Sequence, residues 1–140
     1  RLGQAAAMTD QPIVPGSSRN APSPDAWPSP DVRSSIDVWS SIDALWTWLD
    51  ANRAVDGREG LLLRMLKLSE EVGEVAEAVI GATGQNPRKG VTHTWDDVQG
   101  ELCDVVITAL VALRTLTPDA REVFTRHLAG VTARSLGPSR

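Results

Sequence analysis

The sequence predicts an all-α protein whose helices form a four-helix bundle. From about residue 40 to near the carboxyl terminus, apolar residues recur at spacings of three and four, which is the period of an amphipathic helix. No segment alternates apolar and polar residues as a half-buried strand would. Glycine- or proline-containing breaks divide the helical pattern into four stretches. A chain of 140 residues is long enough for one domain with one hydrophobic core.

The first 35 residues differ in composition from the rest of the chain. They contain six of the nine prolines among Ser, Asp and Asn, a composition that does not sustain a helix or a central strand. We expect a disordered tail over residues 1–35, of which residues 1–7 precede Met8 and resemble a cloning remnant. The helical domain is predicted over residues 36–135, followed by a flexible terminus at 136–140.

The first two helices are predicted on either side of a break at residues 56–57. Ser41 has the side chain of a helix N-cap, and the helix after it ends before the Asp-Gly pair at that break. A second helix is predicted over residues 58–80, and the glycines at 81 and 84 end it. The apolar face of the first helix consists of Ile42, Leu45, Trp46 and Leu49. The apolar seam of the second consists of Leu61, Met65, Leu68, Val72, Val75 and Val79.

The second half of the chain predicts a loop and two further helices. Residues 85–94 contain Pro and Gly and indicate an ordered loop. A third helix is predicted over residues 95–116; its apolar residues cover nearly the whole circumference, so we expect it to be buried. Pro118 suits the first turn of a fourth helix capped by Thr117. The apolar face of that helix consists of Val123, Phe124, Leu128 and Val131.

Composition excludes several classes of function. A net charge of −4 does not provide the basic surface that binds a phosphate backbone, so we expect no nucleic-acid partner. A single cysteine cannot form an intramolecular disulfide or a cysteine-rich zinc site. The longest strongly apolar stretch, residues 105–113, is too short to cross a bilayer, and we find no signal-peptide region. We therefore expect a cytoplasmic protein without a membrane partner.

Carboxylates on the second helix lie in two places. Glu71 and Glu74 share one flank with Lys67, whereas Glu70 and Glu77 point away from the apolar seam. Like charges at these spacings cost about 0.2–0.5 kcal/mol per pair unless a cation intervenes. Alone, such an acidic run is most often a solvated helix face.

The third helix carries a narrow polar stripe on its apolar surface. The stripe consists of Asp97, Glu101, Asp104 and Thr108. Buried carboxylates need a partner or a metal. Two helices that each present a carboxylate pair at i, i+3 form an oxygen-only site, which suits Mg²⁺ or Mn²⁺ better than zinc or copper. The combination predicts a divalent metal site between the two helices.

These motifs resemble those of the all-α nucleoside triphosphate pyrophosphohydrolases typified by MazG. The resemblance covers about residues 41–134 and includes the stretches KLSEEVGEVAEAV and ELCDVVITALVAL. It implies a helical bundle completed by dimerisation and a Mg²⁺ site, with Mn²⁺ as a possible substitute. The implied metal ligands are Glu71, Glu74, Glu101 and Asp104. The implied catalytic residues are Glu71 and Glu70, the latter at a position that activates water in some members of the family.

The implied reaction is attack of water on the α-phosphorus of a nucleoside triphosphate, giving a monophosphate and pyrophosphate in nucleotide pool sanitation. Because carboxylates repel a triphosphate, cations must contribute to binding, and Lys67 and the loop residues Arg88 and Lys89 are the candidates. Asn86 of the same loop is a further candidate for substrate binding. An ordinary solvated turn is the alternative interpretation of that loop.

Tryptophan residues are candidates for contact with the base, because members of the family often use an aromatic residue near the first helix. Trp46 and Trp48 are in that region. The alternative role of Trp46 is packing in the core, and the alternative role of Trp48 is a contact between the two chains of a dimer. A domain of this size leaves apolar surface uncovered, so we expect a homodimer, or a homotetramer of two dimers.

Two other functions are consistent with the same residues. A phosphoribosyl-ATP pyrophosphatase shares the fold and the metal ligands but acts on a bulkier substrate in histidine synthesis. A non-catalytic nucleotide-sensing or dimerisation module would keep the carboxylates without turnover.

Overall fold

The computed structural model describes residues 36–137. Over this range the chain forms four α-helices and no strand, which confirms the all-α prediction. The helices are α1 (Val38–Ala51), α2 (Gly57–Thr83), α3 (Trp95–Leu116) and α4 (Ala120–Leu136). The predicted disordered tail and most of the predicted flexible terminus lie outside the described residues. No helix in the described range is long and apolar enough to span a membrane.

Helices α2 and α3 form an antiparallel pair, which is the most extensive helix contact in the described part of the chain. Arg64 of α2 donates a hydrogen bond to the hydroxyl of Thr115 (3.3 Å) at one end of the pair. At the other end, the backbone N–H of Thr92 donates to the carbonyl of Gly81 (3.1 Å). These two contacts set the register of the pair, so the middle of α2 faces the middle of α3, where Glu71 meets Thr108.

Helix α1 packs on α3, and α4 contacts α3 less extensively. The core between α1 and α3 consists of Ile42, Leu110 and Val111, with Trp39 and Trp46 packed against it. Asp43 and Arg114 form an ion pair across the same contact (2.6 Å). Since this core lies in the carboxyl-terminal half of α3, α1 leaves the amino-terminal half uncovered.

Caps explain where the helices begin, and they correct two predictions. Helix α1 begins at Val38 rather than after Ser41, because the Asp37 side chain accepts from the backbone N–H of Ser40 (2.8 Å). Ser41 instead lies within the helix and donates to the Asp37 carbonyl (3.0 Å). Helix α4 begins at Ala120, so Thr117 does not cap it.

Thr117 has a different role in the connection between α3 and α4. It is the C-cap of α3, and its hydroxyl accepts from the backbone N–H of Asp119 (3.1 Å). Pro118 therefore lies in a turn and not within the first turn of α4. The turn separates the two helices by three residues, 117–119.

Helix α3 has the predicted bounds, and α2 extends past its predicted end. A capping box begins α3: the Thr94 hydroxyl accepts from the Asp97 N–H (3.2 Å), and the Asp97 carboxylate accepts from the Thr94 N–H (2.7 Å). Asp97, part of the predicted polar stripe, is thus a capping residue. Helix α2 continues to Thr83 because Gly84, at a left-handed φ of 61°, supplies the C-cap.

Burial differs from the helical-wheel prediction on α2, α3 and α4. On α2 the buried residues are Glu71, Ala78 and Gly81, whereas Val72, in the predicted seam, is 55% exposed. Leu102 and Val106 are also exposed, so the amino-terminal half of α3 is not buried on all sides. The predicted apolar face of α4 is exposed as well, although Phe124 packs its ring against Trp39 (5.9 Å between centroids).

Gly81 is required by the close approach of the loop to α2. A Cβ at this position would collide with the side chains of Thr92 (2.6 Å) and His93. We expect Gly81→Ala to destabilise the fold by about 1–3 kcal/mol, as overpacking does. Gly100→Ala is the matched control: a Cβ on Gly100 meets no atom within 4 Å, so helix propensity should stabilise by about 0.5–1 kcal/mol. Urea unfolding measures both, and equal effects would contradict the docking of the loop on α2.

Candidate metal centre

Three carboxylates meet between α2 and α3. One oxygen from each of Glu71, Glu101 and Asp104 lies within 4.8 Å of the other two. Glu71 comes from the middle of α2, and the spacing of three residues on α3 places Glu101 and Asp104 on adjacent turns. The structure therefore brings together three of the four predicted metal ligands, here called the carboxylate cluster.

Glu71 is the buried member of the cluster. It is 7% exposed, whereas Glu101 is half-buried and Asp104 is exposed. Its Oε1 lies 3.0 Å from Lys67 Nζ and accepts a long hydrogen bond from the Thr108 hydroxyl (3.4 Å). The hydrogen bond with Lys67 is the main reason that the pKa of Glu71 lies below its ordinary value, despite burial. The carboxylate is therefore ionised at neutral pH.

Glu74 lies beside the cluster, in contact with Glu71. A hydrogen bond between the two carboxyl groups, together with the negative charge of Glu71, raises the pKa of Glu74 above its ordinary value. Two carboxyl groups can form this hydrogen bond when they share one proton. A cation bound to both groups would take the place of that proton.

Lys67 bridges the acids on this flank of α2. Its Nζ lies 3.0 Å from Glu70 Oε2 as well as 3.0 Å from Glu71 Oε1. These two bonds raise the pKa of Lys67, with the bond to Glu71 contributing most. The lysine is the counter-ion of Glu71. The spacing of Lys67 four residues before Glu71 could have indicated this pair from the sequence.

The predicted loop residues lie beyond the carboxyl end of α2. Asn86 shapes the loop: its side-chain oxygen accepts from the N–H of Arg88 (3.1 Å), and its carbonyl accepts from the N–H of Lys89 (3.1 Å). Arg88 and Lys89 are exposed. Because Gly81, where the loop is docked, is ten residues from Glu71, the loop lies about 15 Å from the cluster along the helix.

The two predicted base contacts have different surroundings. Trp46 packs against the α1–α3 core, and the Arg114 guanidinium lies 4.4 Å from its ring centroid. Trp46 is therefore a core residue of the α1–α3 contact. Trp48 is 62% exposed, so its indole is accessible to a ligand or to a second copy of the chain.

The cluster has the donor chemistry of a hard divalent cation. All of its ligand atoms are carboxylate oxygens, which Mg²⁺ and Mn²⁺ prefer. Magnesium takes six ligands and usually keeps several waters or phosphate oxygens. The cluster would supply three of the six ligands. Because Asp104 lies at the exposed side, the other three coordination positions would face solvent and substrate.

Glu74→Gln is expected to stabilise the metal-free protein at neutral pH. The raised pKa of Glu74 stabilises the fold fully below the ordinary pKa of 4.5, and this contribution is lost as the pH rises through the raised value. Glutamine can donate the same hydrogen bond to Glu71 at any pH. Urea unfolding in chelator should therefore show a higher midpoint for Glu74→Gln, with a gain that shrinks toward about pH 4.

Glu77→Gln is the control for that experiment. Glu77 is an exposed glutamate one turn farther along α2, so its substitution should raise the midpoint less. Equal gains at the two positions, or a loss at Glu74, would contradict the shared proton.

Comparison with protein-family models, with curated proteins and with solved structures finds no match to this chain. The functional interpretation therefore depends on the carboxylate cluster, its geometry and the motifs that supply it.

Proposed function

We propose that this protein is a Mg²⁺-dependent nucleoside triphosphate pyrophosphohydrolase that releases pyrophosphate and a nucleoside monophosphate. The observation that carries the proposal is the approach of Glu71, Glu101 and Asp104, from two separate acidic motifs, to within the size of one cation site. The same residues occupy the motif positions of the MazG-like family that the sequence resembles. The proposed cellular role of this protein is to remove unwanted nucleotides from the nucleotide pool.

Each residue of the carboxylate cluster would contribute differently to metal binding. Glu71, fixed by burial and by Thr108, would anchor the ion, and Glu101 and Asp104 would complete the protein side of the site. Glu74, which contacts Glu71, would be the fourth ligand. Bound Mg²⁺ would neutralise triphosphate oxygens and lower the pKa of the attacking water.

Residues outside the cluster would bind substrate and accept the proton. Glu70 is the proposed base, because its exposed carboxylate lies beside the cluster on the same Lys67. Lys67, which contacts the cluster, would bind the phosphates, and Arg88 and Lys89 would contribute positive charge beyond the carboxyl end of α2. Exposed Trp48 is the proposed contact for the base.

Product analysis tests the reaction. With Mg²⁺ and a panel of canonical and modified triphosphates, we expect pyrophosphate and monophosphate, and no orthophosphate from the first cleavage. Glu71→Gln and Glu101→Gln should each lower kcat/KM at least about a hundredfold, because each removes a metal ligand. Glu77→Gln makes the same change on the exposed face of α2 and should keep near wild-type activity.

Other results would redirect the assignment. Turnover of phosphoribosyl-ATP alone would identify the histidine-pathway activity, and metal binding without any product would identify a sensing module. Orthophosphate as the first product, or activity that survives both cluster substitutions, would contradict the proposed reaction.

Self-association is the second part of the proposal. An apolar face runs along the α2–α3 pair, and its side chains are between 45% and 58% exposed; they are Leu62, Val72, Ile80, Leu102 and Val106. Counted at 100° per residue, Val72 and Glu74 project about 160° apart on α2, as do Val106 and Asp104 on α3. Val72 and Val106 therefore point away from Glu74 and Asp104.

A second copy of the chain is the occupant that we propose for this face. The face is about 27 Å long and two helices, or about 20 Å, wide, giving roughly 500 Å² of projected area. That area is toward the upper end of the about 300–600 Å² of the largest apolar patch on a typical monomer, and it is somewhat below the about 800 Å² that each partner buries in a standard interface. Because its exposed side chains are aliphatic, its best complement is the same face on another copy, which gives a two-fold homodimer. A homotetramer would pair two such dimers.

Val106→Asp tests the dimer, because it places a charge within the apolar face. Sedimentation should give twice the chain mass for the wild type and a single chain mass for Val106→Asp, with helicity unchanged. Val91→Asp is the control, since Val91 is an exposed valine in the loop outside this face. A monomeric wild type, or dissociation by the control, would contradict the assignment.

A further inference from the structure

Lys67 uses the same carboxylate that the proposed metal would need. Its ammonium lies 3.0 Å from Oε1 of Glu71, the buried anchor of the cluster. The Glu71 side chain is 9% exposed, and Thr108 and Glu74 already contact it, so it has little room for a further partner. A cation that approaches Glu71 therefore meets Lys67.

The two cations would be close together if both stayed. Magnesium binds carboxylate oxygen at about 2.1 Å, so an ion on Glu71 would lie about 5 Å or less from an ammonium at its present position. Two positive charges repel each other strongly at this distance, even at the effective dielectric constant of a partly exposed site. The structure offers Lys67 an alternative, because Glu70 holds the same ammonium at 3.0 Å and Lys67 is 46% exposed.

We propose that Lys67 is an exchangeable counter-ion: it neutralises Glu71 in the metal-free protein, and metal loading displaces it from Glu71 to Glu70 and toward the substrate phosphates. The inference depends on the proposed function for the identity of the entering divalent ion. It makes Lys67 a positioning residue that sets how tightly the metal binds. Loading the metal then also releases a cation on the side from which a triphosphate would approach.

Metal affinity tests the exchange without any measurement of activity. The experiment titrates Mn²⁺ into the metal-free full-length chain by calorimetry, for the wild type and three variants. Lys67→Met removes the competing charge, so we expect Mn²⁺ to bind at least about threefold tighter. Lys67→Arg keeps the charge and should bind as the wild type does. Lys89→Met is the matched control for loss of a lysine away from the cluster.

Lysine NMR provides a second measurement on the unchanged protein. The chain has two lysines, Lys67 and Lys89, so selective labelling gives two side-chain signals. We expect added Mg²⁺ to shift the Lys67 signal with the same saturation curve as metal binding, and to leave the Lys89 signal in place.

The outcomes separate this inference from the proposed function. Metal binding that is equal or weaker in Lys67→Met, or an unshifted Lys67 signal, overturns the exchange while the metal centre stands. No binding of metal to the wild type or to any variant overturns both. Tighter binding in Lys67→Met alone, with the NMR shift, supports the exchange.

Discussion

The buried carboxylate of Glu71 is the constraint around which this structure is organised. An ionised acid at a helix interface is unfavourable unless charge and hydrogen bonds compensate it. Here the compensation comes from Lys67 on the same helix and from the Thr108 hydroxyl on the facing helix. The register of α2 and α3 brings two further acids to the same place, which leaves an excess of negative charge that a divalent cation would neutralise.

The proposed metal site and the proposed dimer contact use different residues of the α2–α3 pair. The carboxylate cluster consists of Glu71, Glu101 and Asp104, whereas the exposed aliphatic side chains include Val72 and Val106. Helix α1 supports this arrangement by covering the carboxyl-terminal half of α3, where Leu110 and Val111 form the core. The amino-terminal half of α3 is thereby left for the carboxylates and for the exposed Leu102.

The sequence predicted the helical class, the bounds of α3 and the approach of the two acidic motifs, because period, capping residues and spacing are local properties. It predicted only approximately which side of α2 is buried: five of the six seam residues are half-buried, but Val72 is exposed and Glu71 is buried. That helix has apolar residues over more than half of its circumference, and a wheel centred on Val72 chooses the most apolar direction. The contact with α3 instead buries Glu71, and the ion pair with Lys67 makes that burial acceptable. Tertiary contacts of this kind have no signal in the hydrophobic pattern.

The most direct test of the central claim is the anomalous signal of Mn²⁺ in crystals grown with a triphosphate whose α,β bridge cannot be cleaved. The account predicts a peak about 2.0–2.2 Å from one oxygen each of Glu71, Glu101 and Asp104, with phosphate oxygens on its open side. A peak elsewhere, or these three carboxylates without metal at millimolar Mn²⁺, would contradict it.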